Sequence, residues 1–182
     1  GDRTWVITLR GHAQQNLENM LEQCKSKNTC FWAFRNKRKI MENILNMKAG
    51  DILLFLLVRA YGNERRAMIS SSNKQLELLQ VHYGKVKDPY YMALGGSQAT
   101  FFEEHQNLPI NERKWPHFIE FTMEKSIFFE RTVSLDRKKF SKSLKANVAD
   151  SYNIGGGSPM PISPSDSQYL KGIIRLAQRK MR

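Results

Sequence analysis

Few residues in this chain are combined in ways that could carry out chemistry. Glu103, Glu104 and His105 are adjacent, and clustered carboxylates are typical of metal-dependent nucleases, but a single run of this kind is more often a solvated loop. The sequence has no P-loop, no dinucleotide-binding glycine motif and no nucleophile elbow, and the Gly155–Gly157 triplet lacks an adjacent lysine. These absences exclude an NTPase. A small nuclease or RNA-processing enzyme that uses Glu103, Glu104 or Asp136 stays open as an alternative.

The cysteines and histidines do not match a metal site. The spacing of Cys24 and Cys30 relative to the four histidines fits no zinc pattern. Two cysteines cannot form a disulfide framework, so we interpret both as buried thiols. The sequence therefore predicts no metal site and no cofactor.

Positive charge is the strongest compositional signal. The 182 residues include 29 Lys and Arg against 17 Asp and Glu, which gives a net charge of +12. A compact domain with this excess is expected to bind polyanions, and phosphate backbones are bound by such surfaces with release of counterions. A basic face that meets an acidic protein is the alternative. The residues expected to bind phosphate are Arg35, Lys37, Arg38, Lys39, Arg137 and Lys139.

Two tryptophans lie where they could contact a base. Trp32 is beside the basic turn, and Trp115 closes a long loop directly before a predicted strand. Aromatic side chains next to positive charge can stack a base or enclose a methylated one. The alternative is that both tryptophans only fill the core.

The elements that must position these residues are short and mixed. Strands are predicted at Thr4 to Leu9, Thr29 to Asn36, Ile52 to Val58, Leu76 to Val86, Phe118 to Phe121 and Ile127 to Val133. Helices are predicted at Gln14 to Gln23, Ile40 to Met47, Asp136 to Leu144 and about 166 to 181, the last capped by Ser165 or Asp166. The uninterrupted apolar run at Ile52 to Val58 predicts a core strand buried on both faces. Without strict βαβ alternation, this pattern indicates a single α+β pseudo-barrel domain over 1–182, with a loop inserted at about 87–116.

The apolar segments are too short to cross a membrane. The longest run, Ile52 to Val58, is far below the roughly 20 residues of a membrane-spanning helix. No apolar stretch of the signal-peptide type follows the first residues. We therefore expect a soluble, cytoplasmic protein with no membrane partner.

Three blocks of sequence resemble the EVE domains. TCFWAFRNKRKIMENILNMKAGDILLF is similar to their signature, and the matching positions are Trp32, Arg35, Asn36, Met47, Lys48, Gly50 and Asp51. HYGKVKDPYY and KWPHFIEF resemble a second block, and SPMPISPSDSQYLKGIIRLA resembles the segment that leads into the family's last helix. The resemblance extends from Trp5 to about Leu176. It departs from the family at Leu56 to Val58, where typical members have Tyr-His-Ser, and at the 87–116 insertion.

The resemblance implies both a fold and a function. EVE domains, with YTH and ASCH domains, belong to the PUA-like superfamily, whose small β-barrel is flanked by helices and holds a flipped or unpaired modified base in a pocket. A divergent member of this kind resembles the YTH-like modules at the N-termini of McrB-type restriction proteins, where an AAA+ motor lies in a further domain. The chain itself would then be a binding domain and not an enzyme.

The expected ligand is nucleic acid with a modified base. We expect modified, most directly methylated, double-stranded DNA, with the base flipped into an aromatic pocket. The residues expected to line this pocket are Trp32, Phe34, Asn36, Tyr90, Phe102, Trp115, Ser158 and Pro161. An RNA reader of the same fold is an alternative, and the sequence does not distinguish among 6-methyladenine, 5-methylcytosine and hydroxymethyl bases.

Overall fold

The computed structural model describes residues 3–10, 13–27, 30–35, 37–59, 76–90, 117–150 and 159–180. The strands within these ranges are β1 (Thr4–Leu9), β2 (Cys30–Phe34), β3 (Ile52–Val58), β4 (Leu76–Tyr90), β5 (His117–Leu135) and β6 (Met160–Pro161). The α-helices are α1 (Gln14–Lys27), α2 (Arg38–Asn46), α3 (Lys142–Asp150) and α4 (Pro164–Lys180), and a 3₁₀ turn lies at Arg137–Lys139. One sheet has the strand order β2-β5-β4-β3-β1-β6, in which β1 and β3 are parallel and the other neighbours are antiparallel.

Strand β3 is buried on both sides of the sheet. Leu53, Phe55 and Leu57 point to one face, and the residues between them point to the other. A strand covered on both faces needs apolar side chains at every position, because neither half of the alternation meets water. The prediction that Ile52 to Val58 forms the core strand is confirmed.

Each face of the sheet has its own hydrophobic core. One core, which we call the aromatic face, lies under α1 and α2 and contains Trp5, Trp32, Phe34, Phe55 and Phe121. The other, which we call the aliphatic face, lies under α3 and α4 and contains Val6, Leu54, Leu56, Leu144, Val148, Leu170 and Ile174. The sheet is therefore a middle layer between two pairs of helices.

The sheet curls around the aromatic face. In a flat sheet, β2 and β3 would lie about 14 Å apart, because β5 and β4 separate them and neighbouring strands are about 4.8 Å apart. Instead the rings of Trp32 and Phe55 contact each other, with centroids 5.3 Å apart. The pairing of β4 with β5 shifts register at three places, and such bulges bend strands. Gly84 permits this packing, because a Cβ there would lie 2.6 Å from the Phe121 ring.

Several predicted boundaries were wrong. Phe118 to Phe121 and Ile127 to Val133 are parts of the one strand β5, and residues 87–90 of the predicted loop continue β4. The basic helix predicted at Asp136 to Leu144 is a 3₁₀ turn followed by α3. Strands β4 and β5 bend at their bulges but do not end there, because their antiparallel pairing continues past each bulge.

The cap of α4 also differs from the prediction. Ser163 caps the helix: its Oγ accepts a hydrogen bond from Asp166 N at 3.2 Å, and Pro164 takes the first helical position. The carboxylate of Asp166 instead accepts hydrogen bonds from the backbone N, at 2.9 Å, and the Oγ of Ser141. Ser141 precedes α3, so Asp166 fastens the start of one helix to the start of the next.

The cysteines form a disulfide, so their interpretation as thiols was wrong. Cys24 of α1 is bonded to Cys30 of β2. Their Cα atoms lie 4.8 Å apart, which is within the range that a disulfide spans.

Across the described ranges, no helix combines the length and apolar character that crossing a membrane requires.

Candidate nucleic-acid interface

Trp32 and Phe34 belong to the core of the aromatic face. They alternate with outward-facing residues on β2 and are paired with Ile119 and His117 of β5. Trp32 is 5% exposed and makes an edge-to-face contact with Phe55. The structure therefore packs both residues into the core.

Within the part of the chain that the structure describes, the indole N–H of Trp32 has no hydrogen-bond partner. Buried tryptophans usually satisfy this donor, and a buried unsatisfied donor costs about 1 to 3 kcal/mol. The N–H is therefore an unused donor inside a core that is otherwise well packed.

A basic cluster follows directly after β2. Lys37, Arg38 and Lys39 are exposed where α2 begins, and Arg35 is partly buried beside them. Arg38 forms an exposed ion pair with Glu42 at 3.1 Å, which contributes little because both groups are solvated. The cluster therefore keeps most of its positive potential.

The N-terminus of α2 is also suited to an anion. The helix has no acidic residue in its first turn, and Lys37 at its N-cap makes no side-chain capping bond. Free backbone N–H groups and the helix dipole both favour a negative group at such an end. Ile40 and Ile44 are buried in the aromatic face and fix the helix to the sheet.

Two other predicted pocket segments approach this end of the sheet. Tyr90 is paired with Phe118, and Phe118 is paired with Ala33. The backbone of Tyr90 is therefore level with Ala33, which lies between Trp32 and Phe34 on β2. The segment before β6 is tied to α2, because the side chain of Asn43 donates a hydrogen bond to the carbonyl of Pro159 at 2.8 Å. Pro161 is exposed on β6, where it pairs with Trp5.

The remaining predicted site residues fall into two groups, those outside the described residues and those on the 3₁₀ turn. Asn36, Phe102, Trp115 and Ser158, with the side chain of Tyr90, lie outside the described residues. Lys139 is exposed, but its turn packs on the aliphatic face. Arg137 is only 5% exposed, which is not the position expected of a phosphate ligand, because its turn packs against the core between Leu135 and Phe140.

Sequence reasoning missed the bond between Trp5 and Asp51. The indole N–H of Trp5 donates to Asp51 Oδ2 at 3.0 Å, and the backbone N–H groups of Lys48 and Arg3 donate to the same carboxylate. Burial raises the pKa of Asp51, but the hydrogen bonds from Trp5, Lys48 and Arg3 outweigh it and leave the pKa below its ordinary value. The sequence signal for this bond was the Gly50-Asp51 pair. Gly50 has a φ of 93°, which favours glycine in the turn that precedes Asp51.

Buried histidines were also missed. His82 is fully buried, its ring nitrogens are hydrogen-bonded to Ser126 Oγ at 2.8 Å and Gln80 Oε1 at 2.9 Å, and burial lowers its pKa to about 4. Burial also lowers the pKa of His117. In the part of the chain that the structure describes, no group of three or more His, Cys, Asp or Glu side chains is arranged to hold a metal.

The arrangement of strands and helices is a known type of fold. A mixed sheet curled into a half-barrel, with helices on both faces, is the α+β fold of PUA-like domains of the EVE type. No model of a known protein family matches this chain, and no sequence of a curated protein does.

Solved structures share this fold at low sequence identity. A hypothetical protein from Leishmania major has a TM-score of 0.51 and 13% identity, covering 100% of this chain and 98% of its own. The human THYN1 protein, solved in complex with 5-methylcytosine containing DNA, has a TM-score of 0.50 and 14% identity, covering 94% of this chain and 97% of its own. The N-terminal domain of Thermococcus gammatolerans McrB, bound to m5C DNA, has a TM-score of 0.40 and 14% identity, covering 96% of this chain and 98% of its own.

Proposed function

We propose that this domain binds nucleic acid that contains a modified base, most directly methylated double-stranded DNA, and performs no catalysis itself. The observation that carries the proposal is the fold shared with the human THYN1 protein, whose solved structure is a complex with 5-methylcytosine containing DNA. The net charge of +12 independently favours a polyanionic ligand. A methylated base in DNA satisfies both observations.

The phosphate backbone binds at the start of α2 in this proposal. Lys37, Arg38 and Lys39 supply positive charge, and the uncapped N–H groups of the helix supply hydrogen-bond donors. Contacts of this kind position a duplex without reading its sequence. Discrimination must therefore come from the aromatic residues beside the cluster.

The modified base enters a pocket built around β2. A base inside a duplex shows only its edges, so a pocket that encloses it requires the nucleotide to flip out of the stack. The unused N–H of Trp32 is a suitable donor to a base oxygen or nitrogen, and because Trp32 is 5% exposed, the residues that cover it must move aside. The other proposed pocket residues are Phe34, Asn36, Tyr90, Phe102, Trp115, Ser158 and Pro161.

The cellular role proposed is the targeting of a restriction system. Its support is the sequence resemblance to the modules of McrB-type proteins, in which an AAA+ motor is a separate domain. A cytoplasmic location follows from such a role and is part of the same proposal.

A panel of oligonucleotides tests the ligand class. Identical duplexes that differ only in one base (unmodified, 5-methylcytosine, 5-hydroxymethylcytosine or 6-methyladenine) are compared by fluorescence anisotropy, with single-stranded RNA of the same sequence as a further arm. We expect one modified duplex to bind at least 10-fold more tightly than the unmodified duplex. Tighter binding of the RNA would favour an RNA reader, and Mg²⁺-dependent cleavage of any oligonucleotide would contradict a pure binding role.

A matched pair of variants tests the pocket. Trp32→Phe removes the unused indole N–H, so we expect about 10-fold weaker binding of the preferred duplex, the equivalent of one hydrogen bond of about 1.4 kcal/mol. Trp5→Phe is the control, because Trp5 is also buried on the aromatic face but its N–H is already bonded to Asp51. Equal binding by the two variants would remove Trp32 from the pocket.

Flipping has its own signature. Extrusion costs a few kcal/mol in a paired site and less opposite a mismatch. We expect the modified base to bind more tightly when mismatched, and 2-aminopurine next to it to become brighter. Equal affinity for matched and mismatched sites, with no fluorescence change, would place recognition in a groove instead.

A further inference from the structure

The exposed side of α4 carries a row of positive charge. Lys171, Arg175 and Arg179 are exposed and four residues apart, so they share one side of the helix and follow one another about 6 Å apart along its axis. The one acidic residue of α4, Asp166, is buried and bonded to Ser141. Among the described residues the row makes no ion pair, so its charge is available to a ligand.

The 3₁₀ turn packs against a different side of α4, because its contact Tyr169 is two residues from Lys171 and such residues do not share a side of a helix. The backbone N–H of Asp136 donates to the hydroxyl of Tyr169 at 2.8 Å, which fixes the turn against α4. The ammonium of Lys139 lies over the Tyr169 ring, 5.7 Å from its centroid. Lys139 is therefore not part of the row, and we call Lys171, Arg175 and Arg179 the α4 surface.

A glycine on the same side leaves room for a close approach. Gly172 lies within α4 between Lys171 and Arg175, is exposed, and would meet nothing within 4 Å if it carried a Cβ. Glycine in the interior of a helix is unfavourable relative to alanine. Packing among the described residues does not account for Gly172, whereas a phosphate backbone that lies directly against the helix would.

The apolar side of α4 is not available to a membrane. Basic amphipathic helices often bind lipid surfaces, but they do so by burying their apolar side in the lipid. In α4 that side is already used, because Leu170 and Ile174 belong to the core of the aliphatic face. Leu176 is 50% exposed on α4, but one apolar residue gives no apolar stripe, so the exposed side offers mainly charge and hydrogen-bond donors, which suit a phosphate backbone.

We propose that the α4 surface is a second nucleic-acid-binding surface, on the opposite face of the sheet from Trp32 and the start of α2. It relies on the proposed function only for the class of ligand. One strand of a duplex carries a phosphate about every 3.4 Å of its axis, so the roughly 12 Å from Lys171 to Arg179 matches about three to four phosphates. Two surfaces on opposite faces enable the domain to hold two segments of nucleic acid.

The salt dependence of binding tests the second surface. The probe is an unmodified 30-base-pair duplex, and the variant is Lys171→Gln, Arg175→Gln and Arg179→Gln together. Loss of three phosphate contacts should reduce the slope of log K against log salt by about 2.7 and weaken binding more than 10-fold at low salt. The matched control is Lys25→Gln, Lys48→Gln and Arg131→Gln, which removes the same charge from exposed positions on other parts of the molecule.

The two triple variants give distinct outcomes. A slope that falls only in the α4 variant supports the proposal, and equal slopes in the two variants overturn it. The preference for modified over unmodified duplex should stay unchanged in the α4 variant, so failure of the proposed function and failure of the second surface are distinguishable. Binding of phosphatidylserine vesicles that is lost in the α4 variant, with DNA binding intact, would also overturn the proposal.

Gly172→Ala provides an independent check. The substitution should raise the Tm by about 2 to 4 °C, because alanine favours the helix. It should also weaken binding of the unmodified duplex several-fold, because the new methyl group separates the helix from the phosphates. A raised Tm with unchanged binding would overturn the close approach of a backbone to α4.

Discussion

Trp5 and Trp32 are both buried on the aromatic face, yet their surroundings differ. The N–H of Trp5 is bonded to an ionised carboxylate, which also receives two backbone N–H groups. The N–H of Trp32 has no partner among the residues that the structure describes, although its ring contacts Phe55. The described part of the fold thus provides an acceptor for the indole N–H of Trp5 but none for that of Trp32. In the proposed function, the N–H of Trp32 donates to the ligand.

Truncation to alanine should give the largest effect and test this comparison directly. Removing a buried tryptophan side chain costs about 3 to 5 kcal/mol in packing at either position. Trp5→Ala should cost about 1 to 3 kcal/mol more than Trp32→Ala, because it also takes a hydrogen bond from the buried Asp51 carboxylate. Denaturant unfolding measures the difference, and equal losses would show that the Trp5 hydrogen bond contributes nothing.

The pH dependence of stability should show the next largest effect. The pKa of His82 is about 4 in the folded chain and 6.5 ordinarily, so the unfolded chain binds the proton first as the pH falls. Stability should therefore decrease by about 3 kcal/mol between pH 6.5 and pH 4. His82→Gln should reduce this loss of stability between pH 6.5 and pH 4, as measured by unfolding curves at successive pH values. A variant with the same slope as the parent chain would exclude His82 as its origin.

The His82→Gln background then isolates Asp51. Because the folded-state pKa of Asp51 lies below its ordinary value of 3.8, its contribution is fully present above pH 3.8 and is lost as the pH falls below that value. Adding Asp51→Asn should remove this acid limb and leave stability nearly constant there. A persistent limb would assign the acid sensitivity to other carboxylates and weaken the contrast between the tryptophans.

Substitution by phenylalanine should give the smallest effect on stability and the sharpest comparison. Both variants keep most of the packing, but Trp5→Phe removes one of the three N–H donors to the Asp51 carboxylate, whereas Trp32→Phe removes a donor that has no acceptor among the described residues. We expect Trp5→Phe to cost about 1 kcal/mol more than Trp32→Phe. Thermal unfolding of the two variants side by side measures this, and a larger loss for Trp32→Phe would mean that its N–H is satisfied in solution.

The fold could be predicted from sequence where short-range patterns decide it. The apolar run from Ile52 to Val58 fixes a strand buried on both faces, because no polar side chain in it can face water. The three blocks that resemble EVE domains predicted the α+β PUA-like fold, which the curled sheet confirms. The basic residues after β2 were predicted to be next to an aromatic strand because the two are adjacent in the chain.

Other features depended on residues that are distant in sequence. Asp166 binds Ser141 across 25 residues, and Trp5 binds Asp51 across 46, so neither partner could be chosen from local spacing. Arg137 resembles its neighbour Lys139 in sequence, yet only the packing of the turn decides that the former is buried and the latter exposed.

The sequence by itself therefore determined the class of fold, the core strand and the excess of positive charge. Tertiary structure alone decided which tryptophan is satisfied, which basic residues share a surface and that Cys24 meets Cys30. The physical reason is that hydrophobic periodicity and net charge belong to a segment regardless of its neighbours. A hydrogen bond or a shared surface exists only after the curled sheet has brought separate segments together.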